Sequence, residues 1–336
     1  MKKARIFLLS LLCLGLMTFA VVGCSDEEEP YPDMNGFYEE ELALPAMRIG
    51  TLSTDDLLPL WVALEEGLLA DAGLDVEIIP FQSGQDQLAA ITAGEIDGMM
   101  TDMVVATLLY EGGTPVRAIT TMQGAPAGIV VGADTSIESL EELAGVPVAI
   151  STPTVIEYTA YKALTAAGVD SDDIEYEIIP SLSTRYQMLM EGNVDAAGLP
   201  WTLLALAEQE GATVLLDRDE ARGITSTVLA LSQDFLDGNP VVGEATTAEA
   251  ATAAVEAVLA EWDNAVGMIN ATPDAYRELL IEAANLPEPL RDSYPVPEYP
   301  LSQIPSAEHW NDVLEWMRDK GYLTVDVGYD DLVFQP

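Results

Sequence analysis

The sequence is short of the residues that carry most protein chemistry. It has two cysteines and one histidine in 336 residues. That leaves no material for a His/Cys zinc site or a Cys–His nucleophile pair, so no metal and no cofactor are expected. Positive charge is scarce as well: 13 Lys and Arg stand against 57 Asp and Glu, for a formal net charge of −44. Such a chain cannot neutralise a run of phosphates, which excludes nucleic-acid binding. The same deficit excludes docking on anionic lipid through a basic patch. Gly-rich phosphate loops are missing too. What is plentiful is apolar: hydrophobic residues make up 49% of the chain, enough for a sizeable core and too many for disorder. The length suits about two domains.

The one long uncharged run stands at the start. Lys2, Lys3 and Arg5 precede residues 6–22, which hold no charge and lead into Val21-Val22-Gly23-Cys24. A basic start, an apolar stretch and a small residue before the cut describe a secretory signal. At 17 residues the run is also near the lower limit for an uncleaved anchor, but the Gly-Cys at its end favours the signal. Those last four residues resemble the lipobox of bacterial lipoproteins, which implies cleavage after residue 23 and a lipid on Cys24. Residues 1–23 therefore read as signal peptide. Residues 24–45, rich in acid and opening with Ser25-Asp26-Glu27-Glu28-Glu29-Pro30, read as an acidic tether kept extended by like-charge repulsion. Cys13 would leave with the signal, so no disulfide is expected. The folded body is expected outside the cytoplasm, tied to a membrane by the lipid.

Beyond the tether the chain repeats itself. Arg48-Ile49-Gly50-Thr51 opens a strand, an amphipathic run follows, and Glu77-Ile78-Ile79-Pro80 forms a second strand before another helical run and Gly94-Glu95-Ile96-Asp97. The same order returns from Val148: strand, helix, Glu177-Ile178-Ile179-Pro180, helix, then Gly192-Asn193-Val194-Asp195. Alternating strands and helices imply mostly parallel sheets with helices on both faces. Ligands of such sheets collect at the carboxyl ends of the strands, so two such edges face to face would enclose one cleft. Three further helices are expected in residues 246–269, 273–284 and 307–320, the last carrying the lone His309 in a surface or capping role.

At these residues the chain resembles the solute-binding proteins of ABC importers, in the branch that takes up nitrate, sulfonates, taurine and pyrimidine precursors. The resemblance rests on Ala63-Leu64-Glu65-Glu66-Gly67-Leu68-Leu69, Ala72-Gly73-Leu74-Asp75-Val76-Glu77, Ile91-Thr92-Ala93-Gly94-Glu95-Ile96-Asp97-Gly98, and the segment from Ser139-Leu140-Glu141-Glu142-Leu143-Ala144-Gly145 to Ile150. It implies an α/β, two-lobed type II periplasmic-binding-protein-like fold, with two mostly parallel sheets joined by two hinge crossovers. Lobe one would be residues 46–124 plus 223–336 and lobe two residues 125–222. The partners implied are a small-molecule solute, an ABC-type permease and its ATPase, with the chain itself a monomer and not an enzyme.

The cleft loops supply the candidate ligand contacts. Lobe one offers Thr51, Ser53 and Thr54, then Phe81, Gln82 and Ser83, then Thr101 and Asp102; lobe two offers Ser151, Thr152 and Thr154. Each hydroxyl could equally cap its own helix. Trp61, Tyr158 and Trp201 are the aromatic candidates, although Trp61 shares a helix face with Leu57, Leu60 and Leu64, which suits core packing. Glu157 and Asp102 could accept from a ligand amino group, and Glu157 also suits the positive end of its helix. Among cations, Arg185 and Arg222 are the two expected within reach of the cleft. If Arg185 points inward, a sulfonate, nitrate or carboxylate anion fits; if not, the cleft favours a neutral or cationic heterocycle such as an aminopyrimidine. The second is the expectation. Composition alone leaves one further class open, a secreted hydrolase using a carboxylate pair.

Overall fold

The structure, a computed structural model, describes residues 43–81 and 83–336. The signal segment, Cys24 and nearly all of the tether lie outside the described residues. Ten strands form two five-stranded sheets. The first contains β1 (Met47–Thr51), β2 (Val76–Pro80), β3 (Gly98–Asp102), β4 (Val116–Thr121) and β10 (Thr227–Ser232), in the order β2-β1-β3-β10-β4. The second contains β5 (Ala127–Val131), β6 (Val148–Ile150), β7 (Tyr176–Ile178), β8 (Ala196–Pro200) and β9 (Thr213–Leu216), in the order β7-β6-β8-β5-β9. The repeat seen in the sequence is thus a repeat of topology, with β1, β2 and β3 matched by β6, β7 and β8.

The mostly parallel α/β reading holds. In each sheet the antiparallel member is the strand that has just arrived from the other half: β5 runs against β8 and β9, and β10 against β3 and β4. Gly94 and Gly192 both take φ +68°, a left-handed turn that leads each half into its third strand and that glycine adopts without strain. Asp97, fully buried after that turn, accepts from the backbone N–H of Arg48 at 2.8 Å and of Val241 at 2.6 Å. That fastens β1 to the segment following β10.

The C-terminal helices pack on the first half. Helix Ala248–Ala271 buries Ala254, Val255, Val258, Trp262, Ala265 and Ile269 at helical spacing, in one core with Leu58, Leu60 and Val62 of helix Leu58–Glu65. Each large side chain so buried contributes roughly 1.5–3 kcal/mol. Helix Ala307–Asp319 buries Trp310, Val313, Leu314 and Met317 against Met103, Val104 and Ala106. Among the described residues no helix is long and apolar enough to cross a membrane.

Two crossovers join the halves and touch each other. The Met122 N–H donates to Thr227 O at 2.9 Å, and the Thr227 N–H donates to Gln123 O at 3.1 Å. Beside them, a Cβ on Gly124 would stand 2.6 Å from the Arg222 Cα, so only glycine fits where the two chains pass. Gly124→Val should force them apart and lower stability by about 1–3 kcal/mol, the usual cost of overpacking against backbone. Chemical denaturation against wild type measures it.

Candidate functional site

The cleft lies where the carboxyl ends of parallel strands from both halves meet, as the topology requires. A cavity of about 370 Å³ occupies it, within the usual range for small-molecule sites. The first half lines it with Leu52, Ser53 and Thr54 after β1, Phe81, Ser83 and Gly84 after β2, and Thr101 and Asp102 at the end of β3. The second half contributes Val155 and Ile156 after β6, Leu182 after β7, and Pro200, Thr202 and Leu203 after β8. Pro126 and Thr227, at the crossovers, line it as well. Met99, Met100, Leu88 and Val105 complete a mainly apolar wall, and no Lys, Arg or His of the described residues lines it.

Six of the residues singled out in the sequence therefore meet in one cavity: Ser53, Thr54, Phe81, Ser83, Thr101 and Asp102. Three of them also serve the fold. Ser83 caps helix Gly84–Thr92, accepting from the Asp86 N–H. Asp102 caps helix Met103–Glu111, accepting from the N–H groups of Val104 at 2.8 Å and Val105 at 2.9 Å. The Thr54 hydroxyl lies 3.2 Å from the Met100 sulfur.

The other candidates stand elsewhere. Gln82 is outside the described residues. Thr51, Ser151 and Thr152 do not line the cavity; the Thr51 side chain is buried, and its hydroxyl donates to Leu52 O. Thr154 caps helix Val155–Ala166. Glu157 is buried and accepts from the Tyr322 hydroxyl at 3.2 Å, and burial raises its pKa. Trp61 packs on the core of the first half. Tyr158 is fully buried, edge-on to Trp316 with ring centroids 5.2 Å apart. Trp201 does not line the cavity either; its indole N–H donates to Ala125 O at 2.9 Å beside the first crossover.

Arg185 is the clearest correction. It neither enters the cavity nor reaches solvent. The fully buried guanidinium donates to Ile179 O at 2.8 and 3.1 Å and to Gly198 O at 2.7 Å, tying the segment after β7 to the middle of β8. Burial lowers its pKa to about 10, which still leaves it charged at neutrality. Arg222, the other expected cation, pairs with Asp219 on the surface.

The cation that matters is Arg218, which the sequence reading passed over. It leaves helix Arg218–Ala221 of the second half and reaches into the first, 2.7 Å from Asp55 Oδ2 and 2.8 Å from the Tyr294 hydroxyl. It donates also to the Gln123 side chain on the first crossover. The Trp201 ring lies under it, with Cζ 5.1 Å from the centroid. Tyr294 donates to Asp55 Oδ2 at 2.8 Å, and Tyr299 donates to Asp55 O at 2.7 Å. Burial pulls the Arg218 pKa down, but the charges of Asp55, Tyr294 and Asp56 outweigh it, so the group stays charged.

Asp56, the neighbour of this pair, lines the cavity and is 2% exposed, and its Oδ1 has no hydrogen-bond partner among the described residues. Burial, then the Asp55 charge, push its pKa up to about 7 against the pull of Arg218. Asp102 is raised by burial to about 6, the N–H groups of Val105 and Val104 opposing. The cleft thus holds two acids, both reluctant to ionise, in an apolar wall. Among the described residues no group of three or more His, Cys, Asp or Glu is placed to hold a metal ion.

Two sheets joined by two crossovers with a cleft between them define the two-lobed class of the periplasmic binding proteins. The chain belongs to the NMT1/THI5-like family, whose model matches residues 54–265. It is 30% identical over 220 residues to the nitrate import ATP-binding protein NrtC of Synechococcus elongatus, an alignment covering 58% of this chain and 32% of that protein. The chain thus spans about a third of that relative's length. The fold is similar to that of the periplasmic aliphatic sulphonate binding protein SsuA from Escherichia coli, with TM-score 0.70, 20% identity, and coverage of 87% of this chain and 92% of that one. It is also similar to that of the desulfurization enzyme DSZB, with TM-score 0.63, 14% identity, and coverage of 86% and 96%.

Two predictions follow from the charges at the cleft. Between the ordinary carboxylate value of 3.8 and about 7, the unfolded chain has released the Asp56 proton while the folded chain keeps it. Stability conferred by this group therefore falls as pH rises through that window. Asp56→Asn should raise the unfolding midpoint at pH 8, with the gain vanishing near pH 4, as thermal unfolding across pH would show. Arg218→Met strands Asp55 without its partner and should cost about 3 kcal/mol, the low end for a broken buried pair because the guanidinium is partly exposed. Urea unfolding measures it.

Proposed function

We propose that this chain is the extracytoplasmic solute-binding component of an ABC importer, lipid-anchored through Cys24. It captures a small organic solute between its two halves and delivers it unchanged to a permease driven by an ATPase. Residues 46–124 plus 223–336 act as one lobe and residues 125–222 as the other, in a monomer. The observation that carries this reading is the cavity itself: small-molecule sized, built from equivalent strand ends of both halves, and bordered by both crossovers. Solute favours the closed arrangement only by the difference in its affinity for the closed and open forms. A cleft touching the hinge is placed to create that difference. The import role named for NrtC and the solute-binding role named for SsuA are consistent with it.

The solute is a neutral or cationic heterocycle of the aminopyrimidine kind. Apolar walls with hydroxyls, the Gln87 amide, two acids and, among the described residues, no cation suit such a molecule. The competing solute is an anion such as a sulfonate or nitrate, favoured by the SsuA likeness and by the helix N-termini at Gly84 and Val155 that border the cavity. That reading loses its cation with Arg185 bound to backbone carbonyls. Native mass spectrometry of the protein as isolated should release a small molecule of unaltered mass. In a thermal-shift panel, aminopyrimidines should stabilise the protein and nitrate and alkanesulfonates should not. Stabilisation by the anions alone would replace the heterocycle with an anion.

A further inference from the structure

Asp56 is an unusual group to bury. Its carboxyl is almost wholly removed from solvent, its Oδ1 lacks a hydrogen-bond partner among the described residues, and it faces the cavity shared by both halves. A buried polar atom left unpaired costs on the order of 1–3 kcal/mol, so it needs a reason to be there. The nearest cation cannot supply one. Arg218 is taken up by Asp55, Tyr294 and Gln123. A packing role is poorly served by a carboxylate, since an apolar side chain would be cheaper to bury in a mainly apolar cavity wall. What remains is a partner that arrives with the solute.

We propose that Asp56 is the recognition carboxylate of the cleft, accepting an ion-paired hydrogen bond from a cationic amino or amidinium group of the solute. This rests on the reading of the cleft as the solute site and names the chemistry that site selects. The apolar body of the solute then lies against Phe81, Met99, Met100 and Leu203, and Asp102 is a second acceptor in the same cavity. Charged hydrogen bonds of this kind are about twice as strong as neutral ones. The groups acting on Asp56 are Asp55, which opposes its ionisation, and Arg218, which favours it. The phenols of Tyr294 and Tyr299, bonded to Asp55, have raised pKa values and stay neutral. Because Asp56 holds its proton up to about neutrality, binding a cation must expel that proton, which makes capture stronger at alkaline pH.

Benzamidine and 4-aminopyridine, both cationic from pH 5.5 to 8, serve as probes, with benzenesulfonate as the anion of similar size. Calorimetric titration of the full chain should show the cations binding on the order of tenfold more tightly at pH 8 than at pH 5.5. The measured heats should vary with the ionisation enthalpy of the buffer in the sense of proton release. Asp56→Asn, which keeps the shape of the side chain, should weaken the cations at pH 8 by tenfold or more while the variant melts no lower than wild type. Cation binding that is independent of pH and buffer, or unchanged in Asp56→Asn, overturns the assignment. Binding of benzenesulfonate alone overturns it too, yet leaves solute capture standing. Failure of all three probes to bind overturns the assignment, while solute capture is judged by what native mass spectrometry of the isolated protein releases. Should the variant not fold, the pH at which cation binding strengthens in the wild-type protein decides: a midpoint near 7 supports Asp56, and one near 6, the value of Asp102, overturns the assignment.

Discussion

The Arg218 guanidinium holds the two halves in their observed relation. It starts in the second half, lies on Trp201, touches the first crossover through Gln123, and ends on Asp55 and Tyr294 of the first half. The bonds to Gln123, Asp55 and Tyr294 satisfy oxygens that burial would otherwise penalise. Asp55 has 3% side-chain exposure, and an uncompensated carboxylate there would be costly. One cation beside two consecutive acids cannot neutralise both. Asp55 takes the direct bonds, and Asp56 is left with a raised pKa on the cavity side. The same short stretch of chain thereby both ties the halves together and sets the electrostatics of the cleft.

The fold was legible because its signals are periodic and repeated. A tetrapeptide recurring one hundred residues later, together with the Gly94/Asp97 and Gly192/Asp195 turns, already describes two equivalent units. The structure makes them equivalent in strand order too. What periodicity does not reveal is that each sheet receives one antiparallel strand from beyond the crossover. β5 and β10 read like any other apolar strand; their direction is set by the side from which the chain enters. The first and last of the C-terminal helices carry Trp262 and Trp310 on buried stripes, whereas the one expected over 273–284 opens as a 3-10 turn and is α-helical only over Arg277–Ala283.

The site was legible only as far as backbone topology fixes it. Ser53, Phe81, Ser83, Thr101 and Asp102 follow or end parallel strands, and the carboxyl ends of those strands face the cleft. Side-chain direction was the missing part. Arg185, Tyr158 and Trp201 have the chemistry of ligand contacts, but each turns inward and spends that chemistry on the protein's own carbonyls or rings. Asp56 went unnoticed for the opposite reason: in a chain with 57 acids, two consecutive aspartates carry no signal. Only burial distinguishes it. Arg218 stands among charged neighbours in Asp217-Arg218-Asp219-Glu220, where nothing marks one cation as buried, and its reach across to the first half depends on how the halves pack.

A cleft built this way selects by exclusion as well as attraction. An anion entering it would give up water, meet apolar walls, and face two carboxyls with no Lys, Arg or His of the described residues in the lining. On the proposed assignment, a cation gives up the same water and gains Asp56. The difference reaches the hinge directly, because Thr227 lines the cavity and also hydrogen-bonds Met122 and Gln123 of the other crossover. On the proposed function, a solute seated against Thr227 and Pro126 touches the two segments that join the halves, where closing would change dihedral angles. On that reading, charge selection at Asp56 and movement at the crossovers are adjacent events in one small volume. They require no relay through the body of either half.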